Sequence, residues 1–438
     1  MSRWAPPDQA RWNSELSERF FAHFPVEVPS WRTVGREAEY PVVWPDGRAG
    51  DVPALLQALA SLPAYTPQLD GGMLVAVKAA DHTFSTEVGL GTIELISDPC
   101  DDLHQLQRLH EAAMHTLFEV CAEQGQIVLG IGMQPLSQAS VEGMTPKPRY
   151  RVLLDTVGPG WLWFILTASD QLHVDVCRGE VLPYTNLANA LSAVNIALCG
   201  NSPIREGTAV GVCSGRELGM GEIHSKHCRH GVPARPFESE REFVGQATQQ
   251  AFVLQKPGGV PTPYAGSFLD YLSEHPELDA QERWQAFLLH EHYIWHSARP
   301  RSAQATLELR SACQQPWMSH GAAAALNLAM VVSAPGLERL LEQVFGDDAW
   351  DVLRAYRSEA AREGLAAAEP VAGFVRSVLD VCAEGLRGRG RGEEVFLQPL
   401  FDRLERRENP AQEAVRVLED GGVAALLRSR RAGGACAD

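Results

Sequence analysis

Val34-Gly35-Arg36-Glu37-Ala38-Glu39-Tyr40 sets two carboxylates two residues apart among small and apolar neighbours. Successive side chains of a β-strand point to opposite faces, so residues i and i+2 share one. As a strand, this stretch shows Glu37 and Glu39 on one face and turns Ala38 and Tyr40 to the other. The arrangement recurs in Leu172-His173-Val174-Asp175-Val176, Cys213-Ser214-Gly215-Arg216 and Leu307-Glu308-Leu309-Arg310, and Thr92-Ile93-Glu94-Leu95-Ile96 puts Glu94 on a similar strand. Any one of them is also what the wet face of an ordinary antiparallel strand looks like. As neighbours in one sheet, they bring Glu37, Glu39, Glu94, His173 and Glu308 onto a concave face whose repulsion calls for a divalent cation. Oxygen ligands favour Mg²⁺ or Mn²⁺ over zinc. Arg216 and Arg310 add planar forks for a phosphate or a carboxylate. Glu87 precedes Glu94 by seven residues, an odd step that puts the two on opposite faces of an unbroken strand. Gly89-Leu90-Gly91 interrupts that strand, so Glu87 re-enters the site across a bend, as a ligand or a substrate contact.

Outward from these segments, strands and helices mix rather than alternate, which favours α+β with an antiparallel sheet over a doubly wound parallel fold. Residues 1–30 read as a lead-in helix and a Pro-punctuated loop, and alternating strands begin at Thr33. Asp101 and Asp102 cap a helix carrying Leu103, Leu106, Leu109, Ala113, Leu117 and Val120. A second helix carries Leu187, Leu191, Val194 and Leu198 and stops near Gly200-Asn201-Ser202-Pro203. Residues 221–265 read mainly as loop or lid. The chain is helical after Pro335, and Arg387-Gly-Arg-Gly-Arg-Gly392 reads as a flexible surface turn.

The 438 residues are 45% hydrophobic and 21% charged, ordinary for a globular chain with a sizeable core. A formal net charge of −17 argues against a nucleic-acid partner, which needs clustered Lys and Arg. Nine scattered cysteines without a C-x-x-C suit free thiols in a reducing cytoplasm. The first residues lack the apolar core of a signal peptide, and Ala322–Ala334 falls short of the roughly 20 residues that span a bilayer. The expectation is a soluble cytoplasmic protein, monomer or homodimer, with no membrane partner. His224-Ser-Lys-His227-Cys228-Arg-His230 lacks a second ligand pair at zinc spacing and reads as a polar loop. His290, His292 and His296 share a predicted helix with Trp284 and Phe287 and read as surface or packing residues.

The Glu37–Glu39 segment also resembles the opening G-x-E-x-E motif of glutamate–cysteine ligases of the second, plant and bacterial type, within the carboxylate–amine ligases. Glu94-Leu-Ile-Ser-Asp-Pro99 is similar to the family's E-L-x-x-x-P strand, and Pro146-Lys147-Pro-Arg149-Tyr150 to its P-K-x-R-Y segment. Asn201-Ser-Pro203-Ile-Arg-Glu-Gly207, Ser214-Gly-Arg216 and Arg299-Pro300…Thr306-Leu-Glu308-Leu-Arg310 follow in the family's order. The resemblance covers residues 31–315 and implies a glutamine-synthetase-like antiparallel sheet forming a funnel-shaped active site. It implies ATP with Mg²⁺ (or Mn²⁺), glutamate, and cysteine or another amine as the small-molecule partners. The metal ligands it implies are Glu37, Glu39, Glu94, His173 and Glu308, with Glu87 beside them. Arg310 would contact the transferring phosphoryl group and, with Glu308, form the catalytic pair. Arg216, Ser214, Lys147, Arg149, Tyr150 and Arg299 would contact nucleotide or substrate. Residues 31–334 would then be the catalytic domain, with 335–438 a helical region packed on it. Ser169-Asp170-Gln171 before the His, and Asp175 after it, depart from the family's pattern. The spacing from Arg301 to Glu308 follows the broader carboxylate–amine ligases, which leaves the acceptor amine open. A catalytically silent protein of the same fold would have lost the metal ligands, and all are present.

Overall fold

A computed structural model describes residues 6–28, 31–224 and 229–433. The strands are β1 (Val34–Val43), β2 (Thr66–Asp70), β3 (Met73–Lys78), β4 (His82–Thr86), β5 (Thr92–Ser97), β6 (Ile127–Val128) and β7 (Asp170–Asp175). They continue with β8 (Ile204–Arg205), β9 (Thr208–Ala209), β10 (His230–Gly231), β11 (Trp295–His296), β12 (Ala298–Arg301) and β13 (Thr306–Leu309). One sheet runs in the order β12-β13-β7-β1-β5-β4-β3-β2, with β6 on the far end of β1. All its pairings are antiparallel. The mixed α+β class with an antiparallel sheet is therefore as expected.

The helices of the first half are α1 (Pro6–Ala22), α2 (Val52–Ala60), α3 (Leu103–Glu123), α4 (Pro148–Val157), α5 (Arg178–Cys199), α6 (Gly215–His224) and α7 (Glu240–Gln249). After them come α8 (Phe268–Glu274), α9 (Ala280–His292), α10 (Ala322–Val332), α11 (Ala334–Phe345) and α12 (Ala349–Glu363). The chain closes with α13 (Phe374–Arg389), α14 (Gln398–Arg406) and α15 (Pro410–Arg430). Asp102 caps α3 by accepting from Gln105 N–H, and α5 stops at Gly200. Both follow the reading of the sequence.

Strand alternation decides which face packs. Ala38, Tyr40, Phe84, Ile93 and Leu95 turn to the back and are buried with Leu55 and Leu59 of α2 and Met114 and Leu117 of α3. Leu172, Val174, Leu307 and Leu309 pack in a second core with α5, α10 and the helices that follow. On that back face Arg36 meets Asp170 through two hydrogen bonds of 2.7 and 2.8 Å, both groups almost fully buried. Arg36 also donates to His320 O at 2.7 Å. The departure at Asp170 is thus the anchor of β7 against β1.

Three expectations need correction. Ser214-Gly215-Arg216 is not a strand: Ser214 makes a single bridge to Ser202, and α6 begins at Gly215. The stretch 221–265 is mainly loop among its described residues, as read, and carries α7, which Ser239 caps by accepting from Glu242 N–H and whose inner face Phe243 and Val244 bury. His296 lies on β11, not on a helix. The Arg-Gly repeat is docked: Arg389 pairs with Glu393 at 2.5 Å, and Arg391 pairs with Asp102 at 2.9 Å while lying over the Trp31 ring. Among the described residues, no single helix is long and apolar enough to cross a membrane.

Candidate active site

Register carries the front face. Glu39 stands opposite Glu94, which stands opposite Ser85. Glu37 stands opposite Gln171, while His173 stands opposite Glu308, which stands opposite Arg299. Directly opposed residues share a face; Glu37, Glu39, Ser85, Glu94, Gln171 and Arg299, from five strands, line one cavity of about 300 Å³, while His173 and Glu308 stand on the same face beside it. Glu87, Lys147, Arg149, Tyr150, Arg216 and Arg310 line the same cavity.

The acidic groups sort into two triads whose ligand atoms all lie within 4.8 Å of one another: Glu37, His173 and Glu308, and Glu39, Glu87 and Glu94. In the first, His173 Nε2 is 3.2 Å from Glu37 Oε1 and 4.0 Å from Glu308 Oε2, while Nδ1 meets Thr306 Oγ1 at 3.0 Å. Burial pushes the Glu37 carboxyl up, but His173, Arg310 and Arg301 hold it below the usual range. In the second, burial and the Glu39 charge push Glu87 up to about 7, against the pull of Lys147. Glu94 is raised by burial and by Glu87, Glu37 and Glu39, against a hydrogen bond from Ser85 at 2.8 Å. The raised Glu87 and Glu94 carboxyls are the mark of acids crowded together, which a bound cation would relieve. Oxygen-rich sets of this kind fit Mg²⁺ or Mn²⁺.

Glu87 reaches its triad through the bend foreseen at the glycines. β4 ends at Thr86, and Gly89 passes so close to Ile165 that a Cβ there would lie 2.1 Å from the Ile165 carbonyl oxygen. Thr145 Oγ1 donates to Glu87 O at 2.7 Å and Lys147 Nζ to Thr86 O at 3.0 Å, so the Lys147–Tyr150 segment pins the bend. Burial pulls the Lys147 ammonium down to about 8, and the charge of Glu87 resists. Arg149 lies over the Tyr150 ring.

Glu308 is 1% exposed and held by guanidinium groups. Arg299 reaches it at 2.8 and 3.2 Å and Arg301 at 3.7 Å, and Arg310 donates both to it and to Gln171. Burial, with Arg299 close by, pulls Arg310 well below its ordinary value.

Ser214 does not face the cavity. It is fully buried, with its Oγ 3.5 Å from Cys313 Sγ. Its backbone sets the turn that aims Arg216, which enters from the first turn of α6.

Several lining residues escaped the reading of the sequence. Gln171 lies two residues before His173, on the same face, and donates to Glu39 at 3.0 Å. Ser169 N–H donates to the other Glu39 oxygen at 2.6 Å. The pair rule applied forward from His173 finds Asp175; applied backward it finds Gln171. Asp175 itself accepts from Thr33 N–H at 2.8 Å and Oγ1 at 2.7 Å. His292 also lines the cavity, against the expectation of a surface or packing role, whereas His290 does pack, stacked on Phe268. Trp161, Phe164, Tyr293 and Trp295 form an aromatic wall with centroids 4.6–6.0 Å apart. Residues 225–228 of the His224–His230 tract, Cys228 among them, lie outside the described residues.

Acids that could hold cations beside guanidinium groups that could meet phosphates suit the site of an ATP-dependent ligase. Comparison with known proteins places the molecule in that class. The chain belongs to glutamate–cysteine ligase family 2, which matches residues 33–429. It is 24% identical over 383 residues to the chloroplastic glutamate–cysteine ligase of Medicago truncatula, covering 82% of this chain and 72% of that one. A glutamate–cysteine ligase from Francisella tularensis, solved in complex with AMP, shares the fold at TM-score 0.53 and 13% identity, covering 93% of this chain and 89% of that one. A bifunctional glutathione synthetase from Pasteurella multocida does so at TM-score 0.51 and 14% identity, over 94% of this chain and 52% of that one.

The two triads predict metal-linked stability. Adding Mg²⁺ or Mn²⁺ to chelator-treated protein should raise its melting temperature, by the equivalent of about 2.7 kcal/mol at a hundred times the dissociation constant. Glu94→Gln should reduce that increment in a thermal shift titration; an unchanged increment would remove Glu94 from the ligand set.

Proposed function

We propose that the protein joins the γ-carboxylate of glutamate to the amine of cysteine at the expense of ATP, giving γ-glutamylcysteine. The observation that supports this most is the pair of ligand triads side by side on one sheet face with Arg310 held beside them by Gln171 and Glu308. In the first step a γ-carboxylate oxygen bonds to the γ-phosphorus of ATP, the bond to the bridging oxygen breaks, and ADP leaves. In the second, the acceptor nitrogen bonds to the acyl carbon, the carbon–oxygen bond to phosphate breaks, and the amine loses a proton.

Glu37, His173 and Glu308, and Glu39, Glu87 and Glu94, would hold divalent cations that neutralise the polyphosphate and the transferring group. Arg310, fixed by Gln171 and Glu308, meets the transferring phosphoryl group. Arg216 meets an anionic group of the nucleotide or the amino acid, as do Lys147 and Arg149. Gln171 and Ser169 hold the Glu39 carboxylate in one orientation. Acceleration then comes from positioning and electrostatics. The proposed ligands and substrate contacts all lie within residues 31–334, and the helices of 335–438 pack on α5 and α10 behind the sheet. The seven cysteines among the described residues are free, which fits a reducing compartment such as the cytoplasm.

One observation favours a second reading with the same chemistry and another amine. The aromatic wall of Trp161, Phe164, Tyr293 and Trp295 gives the cavity more flat apolar surface than a cysteine side chain fills. Protein incubated with ATP, Mg²⁺, glutamate and a panel of amines, with products identified by mass, separates the two. γ-Glutamylcysteine is the expected major product. Its absence above an enzyme-free control, with another γ-glutamyl amide present, would leave the chemistry and replace the acceptor.

A further inference from the structure

Arg216 lines the cavity, but the groups that hold it come from outside the sequence motifs. Its guanidinium pairs with Glu217, a carboxylate 2% exposed, and the second oxygen of Glu217 pairs with Arg357 of α12. His230 Nε2, also on the cavity wall, lies 4.0 Å from Glu217 Oε1. Arg357 fits because Gly231 has no side chain: a Cβ there would lie 3.2 Å from the Arg357 guanidinium, and Gly231 holds φ +77°. A second, independent set of contacts joins the same elements. The last turn of α12 accepts hydrogen bonds from the backbone of the Arg216 turn, Cys213 N–H to Arg362 O at 2.9 Å and Ser214 N–H to Ala361 O at 2.8 Å. Ser202 Oγ then accepts from Arg216 N–H at 3.0 Å.

We propose that Glu217 and Arg357 are positioning residues for substrate binding, through which α12 holds Arg216 aimed at an anionic group in the cavity. The charge arrangement gives the reason. A buried carboxylate paired with Arg216 alone would cancel its charge and compete with the ligand for its N–H groups. Sharing that carboxylate with Arg357 leaves the cluster of two guanidinium groups and one carboxylate with a net positive charge facing the cavity. Glu217 fixes where the guanidinium points, and Arg357 keeps it available. On this account the helical region after residue 334 contributes to binding as well as to packing.

The inference rests on the proposed ligase reaction, and steady-state kinetics with ATP and glutamate varied separately tests it. Arg216→Met identifies the anion: a raised KM for ATP marks a phosphate, a raised KM for glutamate marks a carboxylate. Arg357→Met and Glu217→Gln should raise the same KM, by roughly ten-fold for one weakened charge-assisted hydrogen bond, with kcat changed less. Arg357→Lys should recover part of the loss, and Arg357→Met should add nothing in the Arg216→Met background. If Arg357→Met does not fold, Arg357→Lys and Glu217→Gln, which keep the volume, read the same split. Folded variants with both KM values within two-fold of wild type, or losses that add to that of Arg216→Met, would overturn the inference alone. Wild-type protein that does not consume ATP with glutamate and any amine overturns the ligase reading, and this inference with it.

Discussion

Arg310→Ala should abolish glutamate-dependent ATP consumption, lowering kcat by about a thousand-fold while leaving a folded protein. A preorganised donor aimed at developing charge contributes about 3–4 kcal/mol to the reaction it serves. Arg310 meets that description: its side chain is mostly buried, its guanidinium is fixed by Gln171 and Glu308, and it lines the cavity between the triads. Burial with Arg299 beside it pulls its guanidinium down, and an incoming phosphoryl group would favour the charged form. Glu308→Gln should do comparable harm by another route. It removes a ligand from the first triad and leaves Arg299, Arg301 and Arg310 without their shared carboxylate. ADP release coupled to glutamate and amine checks both variants, with circular dichroism and melting curves reporting the fold. Turnover within ten-fold of wild type in both would refute the assignment of this pair.

Asp170→Ala should give the largest loss of stability. It leaves the Arg36 guanidinium buried without its carboxylate, and breaking one side of a buried ion pair costs about 3–5 kcal/mol. His320 O still accepts from Arg36, but that single bond does not neutralise the charge. The pair joins the back of β1 to β7 directly behind Glu37 and Gln171, so the front face should loosen with it. Thermal denaturation with and without Mg²⁺ should show a lower melting temperature and a smaller response to the metal. A change of less than a degree would mean that the pair adds little beyond well-packed neutral groups.

The contrast between these residues shows what was legible in the sequence. Glu37, Glu39, Glu94, His173 and Glu308 could be read because a strand has a period of two and the rule for a shared face needs no partner. Glu87 could be read because glycines mark a bend, and its triad bears out that reasoning about geometry. Arg216 could not be placed from the same rule. Ser214-Gly215-Arg216 has strand spacing, but α12 accepts its N–H groups and Gly215 opens a helix, and both depend on residues about 150 positions away. Asp170 and Gln171 stand in the sequence as departures from a pattern, although strand alternation puts one behind the sheet and the other beside Glu39. The aromatic wall carried no local signal, since its members come from the 159–165 turn and from the end of α9 into β11 and meet only in the fold. The docked Arg-Gly repeat escaped because its partners Asp102 and Trp31 lie some 290 residues or more earlier.

The central claim is that ATP activates the γ-carboxylate of glutamate on this face. The most direct test uses glutamate labelled with oxygen-18 in that carboxylate and measures the label in the released phosphate by mass. Activation through an acyl phosphate predicts one labelled oxygen in the phosphate for every amide formed. Amide formation with unlabelled phosphate, or ATP cleavage that needs no glutamate, would contradict it.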